Sequence, residues 1–481
     1  MRTRKTKLRE LNSCILILLL LLNIFLQPVS AYSVVEVNSV NTPHGAVILI
    51  VDGLGSSYIY PEFTPYALDN SVISKASTPN LSSIFDQSCR ILDVRAPQTY
   101  TEAGHSVLVT GYSKALSESV SGSGTTIYDV VHEYDYLTFG IMEKGDFSSI
   151  CAKQNAIVHD TTNSINEPGM VVDTNIHELT NKQVSMDVAA LMQDNILTLN
   201  SELGKSKEGS QERYDTYNRW GIETAIELID FMQANYPDHP YLLTINVGAV
   251  DSAGHYKKDS GYIATIEGLD ASCMPLYQKC IENDLAFIFT SDHGMAFASA
   301  GSRGGHQSDK YSCTDEAQRV PLVISTTDVE KSVIKGEFGQ EDIAPTILEI
   351  LGLPGELRFS DGEVIEFKDH ANLRITIPGE GMISIKMDDT VISEVSASDD
   401  YLFRGLETGH DYIVSFTSDD TGIQLEKEIS LIKSETIDFT SAANIPENDI
   451  FFQNPRYLMG GTLIGIVNIA GLALIRKILK E

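Results

Sequence analysis

Four short segments carry the residue types from which a two-metal hydrolytic centre is built. Asp251-Ser-Ala-Gly-His255 sets a carboxylate and an imidazole four residues apart, and Asp292-His293-Gly294 sets both ligand types side by side. His306 closes Arg303-Gly-Gly-His306, and Asp52 stands in Val51-Asp-Gly-Leu-Gly55. Such a centre needs hard oxygen ligands and imidazoles converging from separate segments, with a position left open for substrate. Glycines beside Asp52 let the backbone turn tightly against an ion. Taken singly, each fragment has a plainer reading: Asp-Gly after a strand is a turn, His-Gly is a helix cap or loop, and Asp-x-x-x-His recurs by chance. Their shared placement at strand ends and their glycine context favour the joint reading as a metal site.

The elements that must position these residues follow from hydrophobic patterning. Between about residues 46 and 353, strand-like apolar runs alternate with helical stretches, the mark of an α/β domain with a mainly parallel, doubly wound sheet. Residues 46–51 end at Asp52, 241–250 at Asp251, 285–290 near Asp292, and 136–142 at Glu143-Lys144-Gly145. In open α/β sheets, sites form at the carboxyl ends of strands, so the convergence of three aspartates there is a functional signal. Residues 217–234 and 262–282 read as helices. A catalytic domain is placed at 40–355. After Pro354, short alternating segments at 373–377, 382–387, 412–417 and 423–431 predict a small β-sandwich domain over 368–440. It has no cluster suggesting chemistry and reads as a spacer or adhesion-like module, followed by a polar linker at 441–456.

The ends of the chain suggest export. Arg2, Arg4, Lys5, Lys7 and Arg9 precede an apolar run, and Val29-Ser30-Ala31 supplies small residues for cleavage, so 1–31 reads as a signal peptide. Retention of the run as an uncleaved anchor is the alternative. Residues 457–475 form an uncharged stretch of 19 residues, enough to cross roughly 30 Å of hydrocarbon as a transmembrane helix. Arg476, Lys477 and Lys480 follow it and only Arg456 precedes it, which puts the 476–481 tail in the cytoplasm. The expectation is a single-pass protein of the cell membrane with its catalytic domain outside. Away from these basic ends, 27 basic residues face 64 acidic ones, a net −37 that argues against binding nucleic-acid polymers. Five cysteines remain after cleavage, with neither zinc-finger nor disulfide-scaffold spacing, and read as core residues with at most one or two bridges.

The order Asp-Gly, a threonine segment, Asp-x-x-Gly-His, Asp-His-Gly and Gly-His resembles the alkaline phosphatase superfamily over about two thirds of the chain. Thr101-Glu-Ala-Gly-His105-Ser-Val-Leu-Val-Thr-Gly111 resembles two branches. Its Thr-to-Gly spacing and Val-Thr-Gly ending are similar to type I phosphodiesterase/nucleotide pyrophosphatases. Its Thr-x-x-Gly-His is similar to cofactor-independent phosphoglycerate mutases and phosphopentomutases. Thr78-Pro-Asn-Leu81 and the segment from Asp342 to Pro354 also resemble the superfamily's core.

The resemblance implies one divalent ion on Asp251, His255 and His306, and a second on Asp52, Asp292 and His293 with Thr101 Oγ bound to it. Zinc is the expected metal, with manganese the alternative. Thr101 is then the nucleophile, passing through a phosphothreonine intermediate in the hydrolysis of a small-molecule phosphate ester. A free threonine hydroxyl is a weak nucleophile, and coordination lowers its pKa. Thr99 is the rival, and spacing to Gly104-His105 and Thr110-Gly111 favours Thr101. His105 and Arg303 are expected to contact substrate. Lys144 is a further candidate phosphate clamp whose plainer reading, like that of Arg303, is a solvated charge. His132, His159 and His177 read as structural.

A phosphoglycerate or phosphosugar mutase-like transferase is the alternative function, although residues 110–241 are short for an inserted mutase domain and export would part the enzyme from glycolytic substrates. A sulfatase is disfavoured because no Cys/Ser-x-Pro-x-Arg motif surrounds Thr101. Retention of six ligands and a nucleophile argues against a non-enzymatic scaffold. Monoester and diester substrates both fit this residue set, because the choice between them lies in loops around the second phosphoryl substituent.

Overall fold

The computed structural model describes residues 32–440, apart from 146–147, 176–180, 328, 389 and 399. The expected signal peptide, the 441–456 linker, the 457–475 span and the cytoplasmic tail lie outside the described residues. Among the described residues, no helix is long and apolar enough to cross a membrane.

A nine-stranded sheet organises the segment from Gly45 to Gly339. Its order is Ser332–Gly339, Cys89–Arg95, Arg319–Ser325, Leu285–Thr290, Gly45–Val51, Tyr241–Val247, Leu137–Met142, Ala156–Asp160 and Met170–Thr174. Pairing is mainly parallel; Arg319–Ser325 runs antiparallel to both its neighbours, and Met170–Thr174 is antiparallel to Ala156–Asp160. Every residue of Gly45–Val51, Tyr241–Val247, Leu285–Thr290 and Leu137–Met142 is buried. This explains their unbroken apolar runs, because strands covered on both faces need no polar alternation. Val47, Leu49 and Val51 pack into one core, while Ala46, Ile48 and Ile50 enter the core on the opposite face.

The long helices Gln211–Asn235 and Lys258–Glu282 begin earlier than their apolar patterns suggested. One strand is shorter than expected. The run predicted over 241–250 stops at Val247, Gly248 turns the chain, and Ala249–Tyr256 is helical. Asp251 and His255 therefore lie four residues apart on one helix, which puts both side chains on the same face.

Beyond the large sheet, two four-stranded sheets enclose a separate apolar cluster that includes Leu373, Ile385, Phe403, Val414 and Phe416. One contains Asp400–Glu407, His370–Thr376 and Glu435–Asp438; the other contains Thr390–Ala397, Gly381–Met387, His410–Ser418 and Gln424–Leu431. Tyr32–Glu36 joins the first of these, pairing in parallel with Asp400–Glu407. Segments far apart in sequence thus share one sheet. Cys89, Cys151, Cys273, Cys280 and Cys313 are all unpaired thiols; only three are fully buried, and Cys313 is exposed rather than in the core.

Candidate functional site

Three neighbouring strands, Leu285–Thr290, Gly45–Val51 and Tyr241–Val247, end at one edge of the sheet. The residues that follow them are Asp292-His293, Asp52, and the helix bearing Asp251 and His255. Asp52 is held at its strand end by its own amide, which donates to Val247 O at 3.1 Å. Gly53 then takes φ +75°, and a Cβ there would sit 2.8 Å from Asp251 Cβ. Only glycine lets these two aspartates come so near. The Gly53 amide donates to Asp292 Oδ1 at 3.0 Å, tying the third strand end to the first.

The ligand atoms converge. His255 Nε2 and His306 Nε2 lie 2.9 Å apart, and each is 3.3 Å from Asp251 Oδ1. His293 Nε2 is 3.3 Å from Asp292 Oδ2 and 3.8 Å from Asp52 Oδ1. The His293 and His306 rings stack with centroids 3.8 Å apart, so the two groups form one cluster. Asp52, Asp292 and His293 could hold one ion. Asp251 and His306 could hold another with His293, or with His255, whose side chain is 35% exposed at the mouth.

Both buried imidazoles are oriented for this. His306 Nδ1 lies 2.6 Å from Thr99 O and His293 Nδ1 lies 3.0 Å from Gly294 O. A proton on each Nδ1, donated to a carbonyl, leaves Nε2 with a lone pair facing the cluster. Thr99, the rival nucleophile, also donates its hydroxyl to His306 O at 2.6 Å and is buried. It positions His306 and is not free to attack.

Thr101 is the first residue of the helix Thr101–Thr110, with Tyr100 extended before it and Gly111 in the left-handed region after it. The helix packs tightly because Gly104 has no side chain; a Cβ there would lie 2.5 Å from Asp292 O. This contact brings Thr101 Oγ1 to 3.2 Å from His293 Nε2. The unpaired amides and dipole of a helix N-terminus favour an anionic group at the same place.

The chemistry of the donor set fits a divalent cation. Both carboxylate oxygens of Asp52 are buried without a hydrogen bond, and Asp251 Oδ1 and Asp292 Oδ2 are buried with imidazole nitrogens at 3.3 Å. Three carboxylates gathered so closely out of water cost more than the ~1–3 kcal/mol of a neutral unsatisfied group, and a cation removes much of that cost. Burial and then the charge of Asp292 push the Asp52 carboxyl well up. Burial opposes ionisation of Asp292 too, but His293 and His105 outweigh it and hold the carboxyl at about 2. At Asp251, burial is outweighed by Lys144, His255 and His306, which hold it well below the carboxylate range. Burial pushes His293 down to about 4, whereas at His306 the neighbouring Asp251 overcomes burial and raises it.

Two expectations change. Lys144 is not a solvated charge: its side chain is 11% exposed and Nζ lies 3.1 Å from Asp251 Oδ2. His105 is fully buried, with Nδ1 2.9 Å from Thr101 O and 3.3 Å from Asp292 Oδ2, and Nε2 3.0 Å from Asn246 Nδ2. It lies behind Thr101, against protein on both ring nitrogens. Arg303 is exposed on the segment leading to His306, and no hydrogen bond or ion pair ties its guanidinium to the cluster among the described residues. His132 bonds Thr138 and His159 pairs with Asp173; His177 lies outside the described residues. Gln340 was missed in the sequence: its Nε2 donates to Ser291 O and Asp292 O, both at 2.8 Å.

The mainly parallel sheet and the carboxylates and imidazoles gathered at its strand ends are those of a metal-binding α/β protein. The chain belongs to the Metalloenzyme superfamily, whose profile matches residues 44–355. Curated relatives are named 2,3-bisphosphoglycerate-independent phosphoglycerate mutase. That of Onchocerca volvulus is 27% identical over 124 residues, 25% of this chain and 23% of the relative. That of Gloeobacter violaceus is 30% identical over 145 residues, 29% of this chain and 26% of the relative. The chain thus spans about a quarter of the length of the curated relatives it matches. Among solved structures, alkaline phosphatase PafA is matched with a TM-score of 0.48 at 13% identity, over 68% of this chain and 99% of that one. A protein of the alkaline phosphatase superfamily from Vibrio parahaemolyticus is matched with a TM-score of 0.44 at 13% identity, over 82% of this chain and 84% of that one.

Proposed function

We propose that this chain hydrolyses a small-molecule phosphate ester with Thr101 as nucleophile. The observation that carries the reading is the Thr101 hydroxyl 3.2 Å from His293 Nε2, at the edge of a cluster of three aspartates and three histidines. Asp251, His255 and His306 would hold one divalent cation and Asp52, Asp292 and His293 another, with Thr101 Oγ1 at the second; zinc is proposed, with manganese the alternative. When bound, such a pair lowers the pKa of a coordinated hydroxyl and offsets charge on a departing oxygen.

Thr101 Oγ1 gives up its proton to solvent and forms the new bond to phosphorus as the ester oxygen departs on the opposite side and takes up a proton, giving phosphothreonine and the free alcohol. Water then breaks the bond between phosphorus and Thr101, releasing inorganic phosphate and restoring the hydroxyl. The Lys144 ammonium beside Asp251 is placed to offset charge on the phosphoryl oxygens. Arg303, exposed at the approach to His306, is the second cation proposed to meet substrate.

The names of the matched relatives favour a second reading, phosphoryl transfer between hydroxyls of one small molecule. Product analysis separates the two: a hydrolase releases free phosphate and a mutase returns an isomeric ester. The chromogenic test compares p-nitrophenyl phosphate, bis(p-nitrophenyl) phosphate and p-nitrophenyl sulfate with zinc or manganese. Preference for the sulfate ester would sink the phosphate ester reading, and unchanged phosphate ester turnover in Thr101→Ala would sink the assignment of Thr101 as nucleophile.

We also propose export and anchoring, from the sequences of residues 1–31 and 457–475, with the sheets of 368–440 forming a sandwich domain beside the membrane. The full chain should resist carbonate extraction from membranes, and deletion of 457–481 should release it. Release of the full chain by carbonate contradicts the anchor.

A further inference from the structure

Two buried side chains take up the first amides of the helix that carries Asp251 and His255. Glu143 Oε2 accepts from the Gly248 amide at 2.9 Å, and Asn218 Oδ1 accepts from the Ala249 amide at 3.0 Å. Glu143 is 1% exposed and Asn218 is 0% exposed. Amides at a helix start have no partner within the helix, so buried acceptors there fix where its first turn lies.

Glu143 is itself wedged. Tyr217 donates its hydroxyl to Glu143 O at 3.1 Å, and a Cβ at Gly221 would sit 2.5 Å from Glu143 Oε1. Tyr217, Asn218 and Gly221 all belong to the helix Gln211–Asn235. The carboxyl therefore fills the join between that helix and the ligand-bearing one. Lys144, the next residue, grips the same short helix at Asp251 Oδ2. The end of the strand Leu137–Met142 thus addresses Ala249–Tyr256 twice, once at the Gly248 amide that leads into it and once at a ligand. Asp251 is the third residue of that helix and His255 the seventh, so a shift of its first turn moves both ligands together. The Asp292 side of the cluster has a support of its own in Gln340, whose Nε2 holds Ser291 O and Asp292 O.

We infer that Glu143 and Asn218 are positioning residues for the Asp251–His255 half of the centre, so that removing either acceptor weakens cation binding at that half alone. This rests on the two-cation reading above. The test is calorimetric titration of the chelator-stripped full chain with zinc. Wild type is expected to bind two ions. Asn218→Ala is expected to bind one of them roughly 10- to 100-fold more weakly, the usual effect of removing a group that orients a ligand, and the other with its affinity retained. Glu143→Gln keeps a carbonyl acceptor for the Gly248 amide and should stay nearer to wild type than Glu143→Ala. Should Asn218→Ala not fold, Asn218→Ser takes its place, being polar yet too short to reach the Ala249 amide.

A wild type that binds no zinc overturns the metal reading itself. A wild type that binds two ions beside variants with unchanged affinities overturns only the inference. Equal weakening of both ions, or a lowered melting temperature with affinities intact, also overturns it, since those are the marks of a merely structural role.

Discussion

Gly104→Ala separates positioning from stability at the nucleophile. The added Cβ would lie 2.5 Å from Asp292 O and 3.0 Å from Asp292 Cβ, where ordinary contact begins at 3.4 Å, so about 0.9 Å must be made up. The obstacle is backbone, pinned by Gln340 Nε2 at 2.8 Å, and no rotamer change relieves it. The helix must move, carrying Thr101 away from His293. Alanine gains ~1 kcal/mol over glycine in a helix, and overpacking costs ~1–3 kcal/mol, so net destabilisation is at most ~2 kcal/mol. A misplacement of ~1 Å costs about 100-fold in rate, or ~2.7 kcal/mol of barrier. The expected signature is a kcat for phosphate ester hydrolysis down about 100-fold at saturating zinc, with only a small shift in the urea midpoint. Gly379→Ala, which meets nothing within 4 Å, is the control and should change neither. A kcat for Gly104→Ala within about threefold of wild type would refute the claim that this close approach places the nucleophile.

Thr99→Val removes one hydrogen bond to His306 O, costing ~1 kcal/mol, and should leave measurable turnover, whereas Thr101→Val should abolish it; equal losses contradict the assignment of the two threonines. Lys144→Met breaks a buried pair and should destabilise the chelated protein by ~3–5 kcal/mol in chemical unfolding, with zinc restoring much of the loss. Asp251's depressed carboxyl contributes stability that is present above the ordinary carboxylate range and lost as pH falls through its folded value, so the same change should move acid unfolding of the chelated protein to higher pH. His306 is raised, so its pair with Asp251 is fully formed below pH ~6.5 and is lost above its folded value; zinc must displace that proton. Zinc binding should therefore release more protons near pH 6 than near pH 8, read by calorimetry in buffers of differing ionisation enthalpy; equal release at both contradicts it.

How far these groups were legible depended on whether their partners are marked in sequence. Three strand ends could be read because central strands buried on both faces are continuous apolar runs, and each run leads into a metal-capable residue. The extent of the 241–250 run misled because Ala249 and Val250 are as apolar inside a helix as at a strand end, and only Gly248 marks the change. Lys144 looked like a surface charge because the partner that buries it, Asp251, is distant in sequence. Asn218 and Gln340 had no signature at all and Glu143 was marked only as lying at a strand end, since each bonds to backbone amides or carbonyls, which every residue possesses. Tyr32–Glu36 was invisible as a member of the small sheets for a related reason: it pairs in parallel with a segment at the other end of the chain.

The most direct measurement is acid quenching of the zinc-loaded full chain during turnover of a phosphate ester, followed by peptide mass spectrometry. Acid-stable phosphate on Thr101, absent from Thr101→Ala along with turnover, is the predicted result. Phosphate on another residue, or undiminished turnover by Thr101→Ala, would contradict the account.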